Sequence, residues 1–503
     1  MGKTKLEAAC QVHIRTLANS TEAKLTGEQI SRRCNPRKKQ HEAPQPFELS
    51  DTQLEMARKY DLTDKFVHFL DRHLVYPLIE NLEFTHDPKE VEEWEYELLK
   101  DTYMTKFVED KWLGLHPGEE LPKEFADKQQ KIQKELVSLN DSTKKTLEIL
   151  SSQEVQENLK QDKSYNREYL SKKHGIDDAK IYELYKFGKF QYNRGDYVMA
   201  SDLLNNFRLL STNQELNFSA TWGKLAAEII SFFWNEAMNE FNKLREIIDS
   251  RNYQGTTIDQ LNKRTWLIHY SLFIFFNSNF TATDADSSED SESEEKQEAD
   301  KKKTLDERNK NLSSMIDLFL SSSYLSTIQA SCPWILRYLI VALLQTRQYK
   351  RLRDIVRAVD VETYEYQDPF TKLIESLFVT FEFDNLSDLI EQISVLIETD
   401  FFISNLDAQK LVLNMQELIF NTVTKVYTGL TEENLCKMFN EDLPVVQKFL
   451  EERKDQVSVA EDGSIIVKTQ TPSTVYQQVY EKTKAFNFKT NQILNTAFNK
   501  SDY

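Results

Sequence analysis

Eight histidines and four cysteines are the side chains of this 503-residue chain best suited to hold a metal or attack a substrate. Their spacing serves neither purpose. His68 and His73 stand five apart in His-Phe-Leu-Asp-Arg-His. On a helix that separation turns them about 140° apart, whereas a zinc pair at i and i+4 shares one face. His-Glu-x-x-His does not occur, and there is no His-x-His pair for a metal-dependent deubiquitinase-type site. His68 and His73 are read as structural, and His269, between Ile268 and Tyr270, as a hydrogen-bonded core histidine. Cys10, Cys34, Cys332 and Cys436 are scattered without Cys-x-x-Cys spacing, which suits a reducing compartment and speaks against a zinc site. No two glycines stand two apart, no pair fits the phosphate-cradling Gly-x-x-x-x-Gly-Lys, and the Gly-x-Ser-x-Gly nucleophile elbow is missing. With 81 Asp and Glu, accidental carboxylate pairs are expected anywhere. No catalytic, cofactor-binding or metal-binding residue is nominated: the expectation is a protein that is not an enzyme and carries no cofactor.

The elements that would have to position a site are helical. Hydrophobic residues make up 40% and charged residues 29%, while only 11 Gly and 11 Pro punctuate the chain, so long helices with short turns fit better than a many-stranded sandwich. The length suggests roughly three domains at about 150 residues each, although a helical solenoid can run longer as one body. A net charge of −18 opposes broad binding to a phosphate backbone, which needs Lys and Arg to displace counterions, but leaves room for a local basic patch. The longest apolar runs, residues 272–276 and 338–344, fall far short of the ~18–20 residues that cross a bilayer. Residues 1–10 are charged and lack the apolar stretch of a secretory signal. A soluble, cytoplasmic protein without membrane or DNA partners is expected.

Residues 1–59 are polar and aperiodic and are expected to form a disordered extension; Arg32-Arg33 and Arg37-Lys38-Lys39 read as nuclear targeting or as an ordinary basic tail. From Leu62 the pattern turns helical, with Leu62, Phe66, Phe69 and Leu70 on one face and Pro77 expected to kink or separate two helices. Ile132, Leu136, Leu139, Thr143, Thr146 and Leu150 step by four and three, a seam for one other helix, either within the chain or in another molecule. Between residues 181 and 261, Gly188, Tyr197, Ala200 and Leu204 recur loosely as Gly223, Trp234, Ala237 and Phe241, the spacing of tetratricopeptide-like helix–turn–helix repeats. Residues 281–307 are an acidic, serine-rich insert expected to be disordered, with Ser287 and Ser291 placed for an acidophilic kinase.

Helical segments resume near Met315 and change character around Thr431, which caps a short helix. A second helix at about 442–453 buries Val445, Val446, Phe449 and Leu450, and two β-rich runs then flank Asp462-Gly463, a strong hairpin signal. Helix, helix and a two-stranded wing make a winged-helix pattern. Residues 441–455 hold five acids against three bases, so a protein partner is favoured over duplex DNA, and the wing's outer strand could pair with a neighbouring sheet edge. A last helix at about 475–497 carries an apolar face that needs a partner.

Residues 60–80, opening Tyr60-Asp-Leu-Thr, and residues 264–277, opening Arg264-Thr-Trp-Leu-Ile-His269, closely resemble the E-subunit family of eukaryotic translation initiation factor 3. The likeness continues through residues 184–192, 222–229, 315–320, Cys332-Pro-Trp-Ile-Leu-Arg-Tyr-Leu339, Asp400-Phe-Phe402 and residues 476–484. It implies a PCI-domain protein: a right-handed α-solenoid followed by a winged-helix module with a small β-hairpin. The implied divisions are an N-terminal helical domain at 60–175, helical repeats at 176–264, a PCI domain at 265–470 with its winged helix at about 430–470, and a C-terminal helix at 471–503. Because that family begins just before Tyr-Asp-Leu-Thr, Met56 would be an alternative start. The implied function is that of a non-catalytic scaffold subunit of the factor, binding its sister subunits and the small (40S) ribosomal subunit to promote pre-initiation complex assembly and mRNA recruitment, with any mRNA contact indirect. The alternative is a PCI scaffold subunit of the proteasome lid or the COP9 signalosome.

Overall fold

The computed structural model describes residues 49–158, 163–250, 253, 255–277, 294–427, 429–453, 457–459 and 464–467, with isolated positions between 476 and 490. Among them the chain is predominantly α-helical, as an α-solenoid requires, and divides into two compact units. The expectations for residues 1–48, for Ser287 and Ser291, for the turn at Asp462-Gly463 and for most of the C-terminal helix lie outside the described residues.

The first unit comprises residues 49–379 and 392–414 of the described chain. Its opening helix, Asp51–Lys59, corrects the expected disorder over that stretch and runs through Met56. The cause is local: Ser50 and Gln53 form a reciprocal capping box that satisfies otherwise orphaned N–H groups. Pro77 lies inside the helix Arg72–Asn81 and does not divide it. The break falls earlier, at residues 68–71, where Asp71 accepts a hydrogen bond from the His73 N–H at 3.1 Å and starts the helix afresh. The seam on the 29-residue helix Lys123–Ser151 finds its partner within the chain: Leu136, Leu139 and Leu150 pack on the core of Leu170, Ile181, Leu184 and Phe187, with Thr143 and Thr146 buried beside them.

Five helices follow with turns of two to seven residues: Asp178–Arg194, Tyr197–Leu210, Gln214–Ile230, Trp234–Asp249 and Thr257–Asn277. Each packs on the next, because turns so short leave a helix nowhere else to lie. Gly195 closes the first of them at φ +89°, a left-handed conformation that glycine adopts without steric cost. Gly188 and Gly223 approach one side chain, Leu204, so closely that a Cβ on either would stand 3.1 Å from it. The helix Thr257–Asn277 runs straight through the expected division at 264. A further correction concerns the acidic insert: residues 294–307 form the start of a continuous helix, Glu294–Phe319, in which lysines at 301–303 follow the acids and Leu312, Met315, Ile316 and Phe319 anchor the far end in the core.

The second unit holds residues 380–391 and the described residues from 415 onward. Thr431 caps the helix Glu432–Phe439, accepting from the Asn434 N–H at 3.3 Å, and Leu443–Glu451 follows. Three antiparallel strands, β1 (Gly429–Thr431), β2 (Val457–Val459) and β3 (Ser464–Val467), form a sheet in the order β1-β3-β2. The expected two-stranded wing therefore has a third strand, paired Leu430 to Ile465. Leu430, Leu435, Phe439, Val446, Phe449, Leu450 and Ile465 are buried, with Phe439 and Phe420 edge-on to Phe449 at 5.3 and 5.5 Å, whereas Val445, expected in this core, is exposed.

Candidate functional site

The stretches that stand out in the sequence converge on one buried polar cluster in the first unit. Arg337, in Trp-Ile-Leu-Arg-Tyr-Leu, is 1% exposed. Its guanidinium donates to Asp368 at 2.7 Å, to Asp400 at 3.2 Å and to the Tyr60 carbonyl at 2.8 Å. The two carboxylates outnumber the one cation, and neutral donors make up the difference. Tyr366 and Tyr338 hydroxyls donate to Asp368 and Asp400 at 3.1 and 3.0 Å. Asp368 caps the helix Pro369–Glu375 through the Thr371 N–H, and Asp400 takes the N–H groups of Phe402 and Ile403. Burial alone would lower the Arg337 pKa, but Tyr366, Asp368 and Asp400 carry it well above its ordinary range. An ion so placed is costly unless every partner is present, and here every partner is.

Beside this cluster, Phe66 sits against the rings of His269, Tyr338 and Phe402 at 5.2, 6.0 and 5.8 Å. His269 is wholly buried, as its sequence context predicts. Its Nδ1 lies 2.7 Å from the Thr265 carbonyl, which can only accept, so that nitrogen carries the proton and Nε2 accepts from the Trp334 indole at 3.2 Å. Burial holds its pKa down to about 4, and a neutral ring with both nitrogens engaged is a packing element. His73 behaves similarly: it is buried, bonded to the Tyr197 hydroxyl at 2.9 Å and edge-on to Tyr192. Tyr192 in turn donates to Asp71 at 2.8 Å, tying residues 71–73 to the helices Asp178–Arg194 and Tyr197–Leu210. His68 is exposed and lies on another segment from His73, so the two do not meet.

A second buried charge cluster lies among the helices of residues 197–249. Arg208 binds Glu240 with both terminal nitrogens, and Lys224 and Lys243 reach the same carboxylate at 3.3 and 2.8 Å. Burial raises the Glu240 pKa, but Arg208 and Lys224 outweigh it and hold the group down to about 2. Glu228, 3.4 Å from Lys224 and 3.3 Å from the Ser201 hydroxyl, is pushed up to about 7 by burial with help from Glu240, and its Oε2 finds no hydrogen-bond partner among the described residues. Burial also raises the thiol pKa of Cys332 and Cys436, which keeps both protonated. Cys10 and Cys34 lie outside the described residues. Among the described residues no group of three or more His, Cys, Asp or Glu is placed to hold a metal, and no helix is long and apolar enough to cross a membrane.

Residues 61–191 match a family model described as the eIF3 subunit 6 N-terminal domain. Over 453 residues the chain is 36% identical to the E subunit of eukaryotic translation initiation factor 3 from Yarrowia lipolytica, covering 87% of this chain and 99% of that protein. The corresponding E subunits of Schizosaccharomyces pombe and Aspergillus clavatus are 35% and 34% identical, covering 80% and 88% of this chain and 77% and 94% of theirs. The chain belongs to the family of eukaryotic translation initiation factor 3 E subunits. In this family member the stretches at residues 60, 269, 337 and 400 meet in one core. Sequence reasoning missed Asp368 and the role of Arg337. The signal that could have found them was a lone arginine inside the apolar run of residues 334–344, which has to find buried carboxylates.

Proposed function

We propose that this chain is a non-catalytic scaffold subunit of eukaryotic translation initiation factor 3, binding its sister subunits and the small ribosomal subunit in the cytoplasm to promote pre-initiation complex assembly and mRNA recruitment. Membership of the E-subunit family is the observation that carries the reading. The helices Glu432–Phe439 and Leu443–Glu451 with the three-stranded sheet are read as the winged helix of a PCI domain, and the helices of residues 178–277 as tetratricopeptide-like repeats. Two features suit a scaffold. Strand β2 ends the sheet, and its outer side has no partner strand among the described residues, an open template for pairing with another sheet. Leu443 and Val445 on the helix that precedes it in sequence, and Val479, Tyr480 and Phe486 further on, are exposed apolar side chains that association would cover. An apolar outer face on the second helix of a winged helix favours a protein over duplex DNA.

Affinity purification of the full chain from cells tests the reading. Recovery of the other factor subunits in equal amounts, together with small ribosomal subunits, is expected. Recovery of proteasome-lid or signalosome subunits in their place would overturn it, as would intrinsic turnover by the purified chain.

A further inference from the structure

We propose that the exposed helix face around Trp94 is the docking site of this chain's own basic segment, Arg32-Arg33-Cys-Asn-Pro-Arg-Lys-Lys39. The face belongs to the helix Pro88–Leu99, which turns Val91, Glu95 and Leu99 inward. Glu90, Glu93, Trp94 and Glu97 are therefore left outward, with Glu90 and Glu97 one turn to either side of the indole. Trp94 is 40% exposed, and no cation lies over its ring among the described residues. The His86 ring meets it edge-on at 5.3 Å, and Phe84, also exposed, stands two residues earlier. Glu90 and Glu93 join no ion pair among the described residues.

Two observations select the occupant. The first is where the described chain starts. The helix Asp51–Lys59 is pinned beside this face by Arg58, whose Nε donates to the Thr85 carbonyl at 2.7 Å. The Thr85 hydroxyl lies 2.9 Å from Nδ1 of His86, the ring that meets Trp94. Ser50 at the head of that helix is about 12 Å from Arg58, and the ten residues from Leu49 back to Lys39 span up to ~33 Å. Reach is ample. So short a tether presents the segment at an effective concentration on the order of millimolar, enough to fill a site whose exposed ion pairs are individually weak. The second observation is charge. The exposed charged residues of the helix are Glu90, Glu93 and Glu97 against Lys89 alone. Residues 32–39 hold five Lys and Arg and no acid, and no other run of eight residues in the chain holds five. A guanidinium laid on the indole gains a cation–π contact while its neighbours meet the free carboxylates.

The test is zero-length carbodiimide cross-linking of the dilute full chain, mapped by mass spectrometry. Lys38 or Lys39 should be joined to Glu90, Glu93 or Glu97 within one molecule, in a yield that falls as salt is added. Trp94→Ala leaves every reacting amine and carboxylate in place and should cut that yield about threefold or more. Tyr364→Ala, at an exposed ring elsewhere, should not change it. A labelled synthetic peptide of residues 31–40 gives a second readout. It should bind the full chain carrying Arg32→Gln, Arg33→Gln, Arg37→Gln, Lys38→Gln and Lys39→Gln roughly tenfold more tightly than the parent, whose face is already filled. Cross-links scattered over unrelated carboxylates, or a yield indifferent to Trp94→Ala, would overturn the proposal. So would cross-links formed only between molecules, which would seat the segment on a second copy. Equal peptide binding by variant and parent would overturn it as well, leaving the face to a basic segment of another protein. The outcome is independent of which subunits copurify with the chain.

Discussion

The Arg337 cluster and the Glu240 cluster bury the same kinds of charge in the same unit, and differ in how completely that charge is matched. Around Arg337 two carboxylates share one guanidinium, two tyrosine hydroxyls and three backbone N–H groups. Around Glu240 three cations converge on one carboxylate, while the neighbouring Glu228 keeps an oxygen without a hydrogen-bond partner among the described residues. The carboxylates are buried in both clusters but not equally satisfied, and satisfaction decides whether a buried ion fixes a fold or strains it. The first cluster holds residues 60, 337, 368 and 400 in place. The second lets one carboxylate titrate near neutrality.

The largest expected effect breaks the satisfied cluster. Arg337→Met leaves Asp368 and Asp400 buried without their cation and should cost about 3–5 kcal/mol, read as a fall in the chemical-denaturation midpoint. An unchanged midpoint would mean the cluster is not a structural tie. Next, Glu240→Gln should cost about 2 kcal/mol at neutral pH, since Arg208 and Lys224 lose their charged acceptor. Its folded pKa lies below the unfolded value, so its contribution is present above about 4.5 and is lost as pH falls towards about 2.

Glu228 should behave in the opposite sense. Its folded pKa of about 7 lies above the ordinary 4.5, so the native state holds the proton more tightly and stability falls as pH rises from 4.5 to 7. Glu228→Gln should remove that slope and stabilise the chain at pH 8 by about 1–3 kcal/mol; stability profiles of variant and parent that run parallel would contradict the assignment. The smallest effect sharpens the contrast at single hydroxyls. Tyr338→Phe should cost about 1 kcal/mol by orphaning one Asp400 bond, whereas Ser201→Ala, at a longer bond to an already strained carboxylate, should cost less than about 0.5 kcal/mol.

Much of the fold was legible because its signals are local. Apolar periodicity marked the helices, Thr431 announced a cap, and β-rich runs around Asp462-Gly463 marked strands β2 and β3. The buried character of His269 was readable from its neighbours Ile268 and Tyr270. What escaped depended on partners distant in sequence. Strand β1 is three residues long beginning at Gly429, too short to declare itself, and exists by pairing with β3. Asp368 lies 31 residues from Arg337, and nothing in either neighbourhood names the other. The helices at 51–59 and 294–319 escaped for another reason, since polar composition hid a capping box in one and a distant apolar anchor in the other.

Amide hydrogen exchange at Val457, Ser458 and Val459, compared between the free chain and the assembled factor, tests most directly whether this protein works by being covered. Slowing by tenfold or more at the outward-facing amides of β2 on assembly is predicted. Identical exchange in both states, with the sister subunits demonstrably bound, would contradict the account.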